Sequence, residues 1–124
     1  MFRPLILVVE SQARLRKQSV AAIRAGGFDT IDVAYAEAAV GILESDFGVR
    51  VVFTDVHMRG DLDGVRLGHL VRTHWPAIEL VVTADKSLPK GHELPANSQF
   101  ILKPYSAGDL VHVLRGFRLW RPQD

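Results

Sequence analysis

Short apolar runs alternate with stretches of helical periodicity along this chain, and few architectures accept that rhythm. Leu5 to Val9 and Val51 to Phe53 are uninterrupted, and Ile78 to Thr83 is broken only by Glu79; such runs suit strands buried on both faces. Between them, Leu15, Ala22, Ile23 and Gly26 fall on one helical face. Ser11 is a natural N-cap for that helix, Gly26-Gly27 its stop, and Arg14, Arg16, Lys17 and Arg24 can point to water. Ala36, Ala39, Val40, Leu43 and Phe47 form the clearest helical stripe in the chain. Leu67, Gly68, Val71 and Trp75 make a third apolar face, closed by Pro76, whose ring cannot continue a helix.

Phe28 to Ala34 alternates polar and apolar side chains, as expected of a second strand nearer the sheet edge. From Asp85 to Ser98 the rhythm breaks, because Pro89, Gly91 and Pro95 leave room for at most a turn or two of helix. Phe100 to Lys103 reads as a short fifth strand. Ser106 and Asp109 resemble a capping box opening a last helix, whose buried face is Leu110, Val113, Leu114 and Phe117. The order β-α-β-α-β-α-β-(short α)-β-α predicts an α/β fold: a flavodoxin-like, doubly wound five-stranded parallel sheet in the order 2-1-3-4-5, with a shortened fourth helix. In that order the carboxyl ends of strands one and three meet where the connections change direction, which brings Glu10 and Ser11 close to Asp55.

At 124 residues the chain is expected to be one domain, over 1–120, with a C-terminal tail at 121–124. Its net charge of +1 creates no field that favours nucleic acid or an anionic membrane, so neither is expected as a partner. The absence of cysteine removes thiol catalysis and thiolate metal sites and agrees with a reducing, cytoplasmic setting. The amino terminus meets Glu10 too soon to be a signal peptide or a membrane span.

The chemistry is expected at the end of the central strand, where the apolar run delivers Asp55 onto a loop rich in turn formers, Gly60, Asp61, Asp63 and Gly64. Four distant places converge on that edge: Glu10-Ser11, Asp55, Thr83-Ala84 and Lys103-Pro104. This constellation, with the motifs VVES, FTDVHM, VVTA and LKPY spread over nearly the whole chain, resembles the receiver domain of two-component response regulators, a CheY-like fold.

The resemblance implies a phosphoacceptor, Asp55, taking a phosphoryl group from a histidine kinase or histidine phosphotransfer protein. It implies Mg²⁺ held by Asp55, the backbone carbonyl of His57 and, through water, Glu10, with Ser11 as a further contact. Lys103 would be the ammonium that pairs with the phosphoryl group, aimed by a cis bond to Pro104. Thr83 would be the hydroxyl that moves to it, and Phe100 the aromatic switch that follows Thr83. Such a module is not an enzyme in the ordinary sense; it signals through a downstream protein, and self-association into a homodimer is left open. Since the chain ends as the last helix does, no output domain is expected.

Three departures bear on this. The second acid usual after strand one is Ser11 here, and loss of such a ligand is expected to weaken the metal by at least about 10-fold. Arg59 stands where a proline is common, a positive charge that could partly replace the metal's. The shortened fourth helix alters the usual output face. The alternative is a pseudo-receiver, an interaction module that no longer takes phosphate, with Ser11 as its support. A phosphatase or a flavin-binding protein on the same fold is disfavoured, for want of an acid at His57 and of a Ser/Gly-rich loop after strand one. Read without the resemblance, Asp55 is a strand-end acid capping a turn, Lys103 an exposed strand-end lysine, and Thr83 a β-branched strand residue. His69, His74, His92 and His112 lack metal-binding spacing, while Trp75 and Trp120 read as rim packing or, for Trp120, part of an interface.

Overall fold

The computed structural model describes residues 2–58, 62–85 and 93–119. Its elements run β1 (Leu5–Val9), α1 (Ala13–Ala25), β2 (Asp29–Val33), α2 (Ala36–Glu44), β3 (Val49–Asp55), α3 (Gly64–His74), β4 (Glu79–Ala84), β5 (Ser98–Leu102) and α4 (Ala107–Arg115). All strand pairs are parallel and the sheet order is β2-β1-β3-β4-β5. The architecture is the one the alternation implies. Arg59, Gly60 and Asp61, the stretch with Pro89, Gly91 and His92, and Trp120 with the tail lie outside the described residues. So does most of the expected short fourth helix; residues 93–97 hold no helix.

Helices cover both faces because the strands are apolar on both. In β1, Ile6 and Val8 face a core shared with Ile23 of α1 and with Leu110 and Leu114 of α4. Leu7 and Val9 face the opposite core, with Ala39 and Leu43 of α2 and Leu67 and Val71 of α3. Parity in β3 shifts once: Val49 and Val52 share one core, Val51 and Phe53 the other. The cause is a slip in the β1–β3 register between Leu5 and Ile6, so Arg50 is the extra residue of a bulge.

Two local expectations are corrected. Ser11 is exposed and does not cap α1; Gln12 holds that position in extended backbone without a side-chain cap. The reason is Glu10, whose carboxylate Oε2 accepts the Gln12 N–H at 3.0 Å and so begins the turn one residue later. Phe47 does not continue the stripe of α2, which ends at Glu44 with Ser45 as its C-cap. Asp46 at φ 54° and Gly48 at φ 80° turn the backbone outward, leaving Phe47 57% exposed.

Smaller shifts are of boundary only. β4 and β5 each lie one or two residues from their expected limits, and Phe28 is buried core ahead of β2. The capping box at Ser106 and Asp109 is present in both directions, at 3.0 and 3.1 Å.

Candidate functional site at the carboxyl edge of the sheet

Asp55 is the last residue of β3, and it is only 5% exposed. Among the described residues, two backbone bonds hold the ends of the loop after it: Val56 N–H donates to the Thr83 carbonyl at 2.8 Å, and Gly64 N–H to the Val56 carbonyl at 3.0 Å. Gly64 is required there. A Cβ at that position would collide with the carbonyl of Asp55, so the first turn of α3 can rest on the β3 backbone only through glycine. Asp63, read from the sequence as a turn former, caps α3 by accepting the Arg66 N–H at 2.8 Å.

The two oxygens of Asp55 have distinct partners. Oδ1 accepts the backbone N–H of His57 at 3.2 Å, and Oδ2 accepts from Lys103 Nζ at 3.1 Å. The same ammonium lies 3.0 Å from Glu10 Oε1, so one lysine joins two carboxylates, their side chains 6% and 4% exposed. Burial disfavours the charge on Lys103, yet its hydrogen bond to Glu10 and the fields of Asp55 and Glu10 outweigh that and raise its pKa above the ordinary lysine value.

Lys103 is aimed by its surroundings. Its N–H donates to the Ala84 carbonyl at 2.7 Å, and the Lys103–Pro104 bond is cis. Tyr105 then turns into the fold, with its ring edge-on to Phe53 at 5.8 Å and its hydroxyl 2.9 Å from Ser19 Oγ on α1. Burial raises the Tyr105 pKa, only partly offset by the bond to Ser19.

Thr83 pairs with Asp55 across β3 and β4. It is 2% exposed, and its buried hydroxyl has no hydrogen-bond partner among the described residues. A hydroxyl in that state carries a desolvation cost that a bound oxygen would relieve. Phe100 lies on β5 with 39% of its surface exposed. His57 and Ser11 are exposed and, with Gln12 and Met58, line an open cleft beside the loop.

Several residues of this edge escape sequence reading. Arg16 does not simply point to water: its Nη1 donates to the Glu10 carbonyl at 2.9 Å and its Nε to Asp32 at 3.2 Å. Its position one turn into a helix that starts beside Glu10 is the signal that would have found it. At the opposite edge of the sheet, Arg24 likewise bonds Thr30, at 2.7 Å. The Ser19–Tyr105 pair leaves no trace in spacing. His69 meets the Glu93 carbonyl at 2.8 Å, and His74 and His112 are exposed; none of these three belongs to the site. Trp75 packs against the α2–α3 core as rim packing requires.

For a divalent cation the donor set is of the right type and short of charge. Mg²⁺ takes oxygen ligands and keeps waters, which suits Asp55 and a loop carbonyl. Among the described residues, however, no three His, Cys, Asp or Glu side chains are grouped to hold a metal. Among the described residues no helix is long and apolar enough to cross a membrane.

No family model matches the chain. It is similar to the response regulator protein FleR of Pseudomonas aeruginosa, 30% identical over 112 residues that make up 88% of this chain and 23% of that regulator. The chain thus spans about a quarter of this curated relative. Among solved structures, a response regulator receiver protein from Sinorhizobium medicae superposes with a TM-score of 0.85 at 20% identity, covering 92% of this chain and 93% of that one. A CheY-like receiver domain protein from Methanospirillum hungatei gives 0.84 at 17% identity and 93% coverage of both. The fold is that of receiver domains, and the resemblance carried by VVES, FTDVHM, VVTA and LKPY is met in both sequence and structure.

Proposed function

We propose that this response regulator receiver domain accepts a phosphoryl group on Asp55 from a phosphohistidine of a histidine kinase or histidine phosphotransfer protein, and signals through contacts with a downstream protein. The observation that carries this reading is the ammonium of Lys103 at 3.1 Å from the Asp55 carboxylate, with the partnerless Thr83 hydroxyl on the neighbouring strand.

In the transfer an Asp55 oxygen attacks phosphorus. The new O–P bond forms as the N–P bond of the donor breaks, and the electron pair returns to the donor imidazole. Attack by an anion on an anionic group needs fixed positive charge, and Lys103 supplies it without reorganisation. The transferred oxygens then accept from Lys103 and from Thr83, whose hydroxyl gains the partner it lacks. Movement of Thr83 is read by Phe100, whose half-open position on β5 lets it report to the surface. Mg²⁺ held by Asp55, the His57 carbonyl and water would add charge neutralisation. The module works in the cytoplasm, without nucleic acid or membrane, and consumes one donor per cycle rather than turning over as an enzyme.

A second reading, the pseudo-receiver, is favoured by exposed Ser11 and by the short supply of acids. Intact mass after incubation with a small phosphodonor and Mg²⁺ separates the two, using the native protein, Asp55→Asn and Ser11→Asp. One phosphoryl adduct on the native chain and none on Asp55→Asn is the expected result. An adduct that appears only in Ser11→Asp gives the pseudo-receiver, and one that survives Asp55→Asn overturns the site.

A further inference from the structure

We infer that residues 93–97 form a strap through which α3 reads the state of the phosphoacceptor edge, a second report beside that of Phe100. What is read rests on the phosphoacceptor function proposed above; the coupling itself rests only on how the strap is packed.

Residues 93–97 hold no helix, so their carbonyls need donors from elsewhere. Side chains supply them. The Glu93 carbonyl lies 2.8 Å from His69 Nε2, the Ala96 carbonyl accepts Arg72 Nε at 3.0 Å, and the Pro95 carbonyl accepts the Ser98 hydroxyl at 2.6 Å. Arg72 Nη1 also donates to the Pro76 and Ile78 carbonyls at 3.0 and 2.9 Å, which fixes the guanidinium. Pro95 is buried against Gly68, where a Cβ would stand 3.2 Å from Pro95 Cγ. Asn97, at φ 62°, then turns the chain into β5. Val65, Gly68, His69 and Arg72 recur at i, i+3, i+4 and i+7, so one face of α3 is given to the strap and to the cluster beneath it.

The inner side of the strap meets the neighbours of the site. Leu94 packs against the cluster of Val56, Val65, Val82 and Ala84. Val56 follows Asp55, Val82 and Ala84 flank Thr83, and Val65 lies in the first turn of α3. A close-packed interior passes a displacement on rather than absorbing it. Movement of β4 at Thr83, or of the loop after Asp55, therefore reaches Leu94. From there the bonds to His69 and Arg72 carry it to α3, where His69 is exposed and places the report on the surface.

A double-mutant cycle read by NMR in the full chain tests this coupling without phosphate. Thr83→Ala, which shortens a side chain at the site, is expected to shift the His69 imidazole and Arg72 Nε–H resonances. In a Leu94→Ala background the same substitution is expected to leave both unmoved. Arg72→Gln keeps Leu94 in place and decides the matter if Leu94→Ala does not fold: there Thr83→Ala should still shift the Leu94 methyl groups, and the response at His69 should shrink. No shift at His69 and Arg72 in the otherwise native chain overturns the inference, and so does an undiminished response at His69 in either folded variant. Incubation with a small phosphodonor and Mg²⁺ supplies the second arm and should move the same resonances. A chain that takes no phosphoryl group yet completes the cycle as expected loses the functional reading and keeps the coupling. A chain phosphorylated on Asp55 with His69 and Arg72 unmoved keeps the functional reading and loses the strap's role.

Discussion

The interior of β3 and its carboxyl end obey opposite rules. Val51, Val52 and Phe53 are apolar and buried, and they face two separate cores. Two residues beyond Phe53, equally buried, stands a carboxyl group joined to an ammonium and beside a hydroxyl with no partner among the described residues. The first region is what burial favours. The second runs against it, and there the ion pairs of Lys103 with Glu10 and Asp55 offset the cost of burial. Glu10, Asp55 and Thr83 are each the last or next-to-last residue of a strand segment, or the residue just after one, so the polar cluster is a property of the edge and not of any one strand.

The largest effect should come from removing the cation that reconciles the edge with burial. Lys103→Met leaves two carboxylates facing each other in a site that is nearly closed to water, and breaking such a buried pair costs about 3–5 kcal/mol. Urea unfolding at neutral pH should read that loss, and adding Glu10→Gln should recover part of it. The same pair makes a pH prediction. Since the folded pKa of Lys103 is raised, its contribution is complete below the unfolded lysine value near about 10.4 and is lost as pH rises through the folded value. Native and Lys103→Met stabilities should converge at strongly alkaline pH. A Lys103→Met protein as stable as the native one would erase the contrast between edge and interior.

Gly64→Ala should act next, through the backbone. A methyl group would have to displace the Asp55 carbonyl, and forced overpacking costs about 1–3 kcal/mol. Amide shifts at Asp55 and Val56 should move further than those in β1. The opposite result would place the strain in the helix and free the strand.

How much of this was legible follows the same division. The interior is written in the sequence because burial on two faces dictates residue type at every position of Leu5–Val9 and Val51–Phe53. At the edge, the acid and the lysine stand out as polar residues ending apolar runs. Their partners do not, because a hydrogen bond between Tyr105 and Ser19, or from Arg16 to a carbonyl, imposes no periodicity. Ser11 misled for a related reason. It has a capping side chain, but the Glu10 carboxylate had already taken the N–H that starts the turn. Phe47 kept the helical spacing of α2 after the helix had stopped, since spacing does not register the left-handed backbone at Asp46.

A reciprocal exchange sharpens the comparison at smaller amplitude. Thr83→Val removes a buried hydroxyl that has no partner among the described residues and keeps the shape, so it should stabilise the fold by up to about 1 kcal/mol. Val52→Thr places the same hydroxyl in the interior and should cost about 1–3 kcal/mol. Thermal unfolding reads both. The gain at Thr83 should come with faster loss of any phosphoryl group from Asp55, whereas Val52→Thr should leave that rate alone. If Thr83→Val destabilises, the hydroxyl has a partner in solution and the edge is less frustrated than it looks.

The smallest effect lies outside both regions, at the start of α4, and serves as a control for pH work on the site. Asp109 accepts the Ser106 N–H, and the backbone and side-chain bonds with Ser106 lower its pKa, although the group is fully exposed. A depressed carboxyl pKa gives stability that is present above the unfolded value near about 3.9 and disappears as pH falls through the folded one. The melting temperatures of native protein and Asp109→Asn should therefore differ slightly at neutral pH and coincide in acid. Ser106→Ala, which removes the other half of the box, should cost about 1 kcal/mol at neutral pH. A native chain that lost stability steeply over the same acid range while Asp109→Asn lost it just as steeply would locate the acid sensitivity elsewhere.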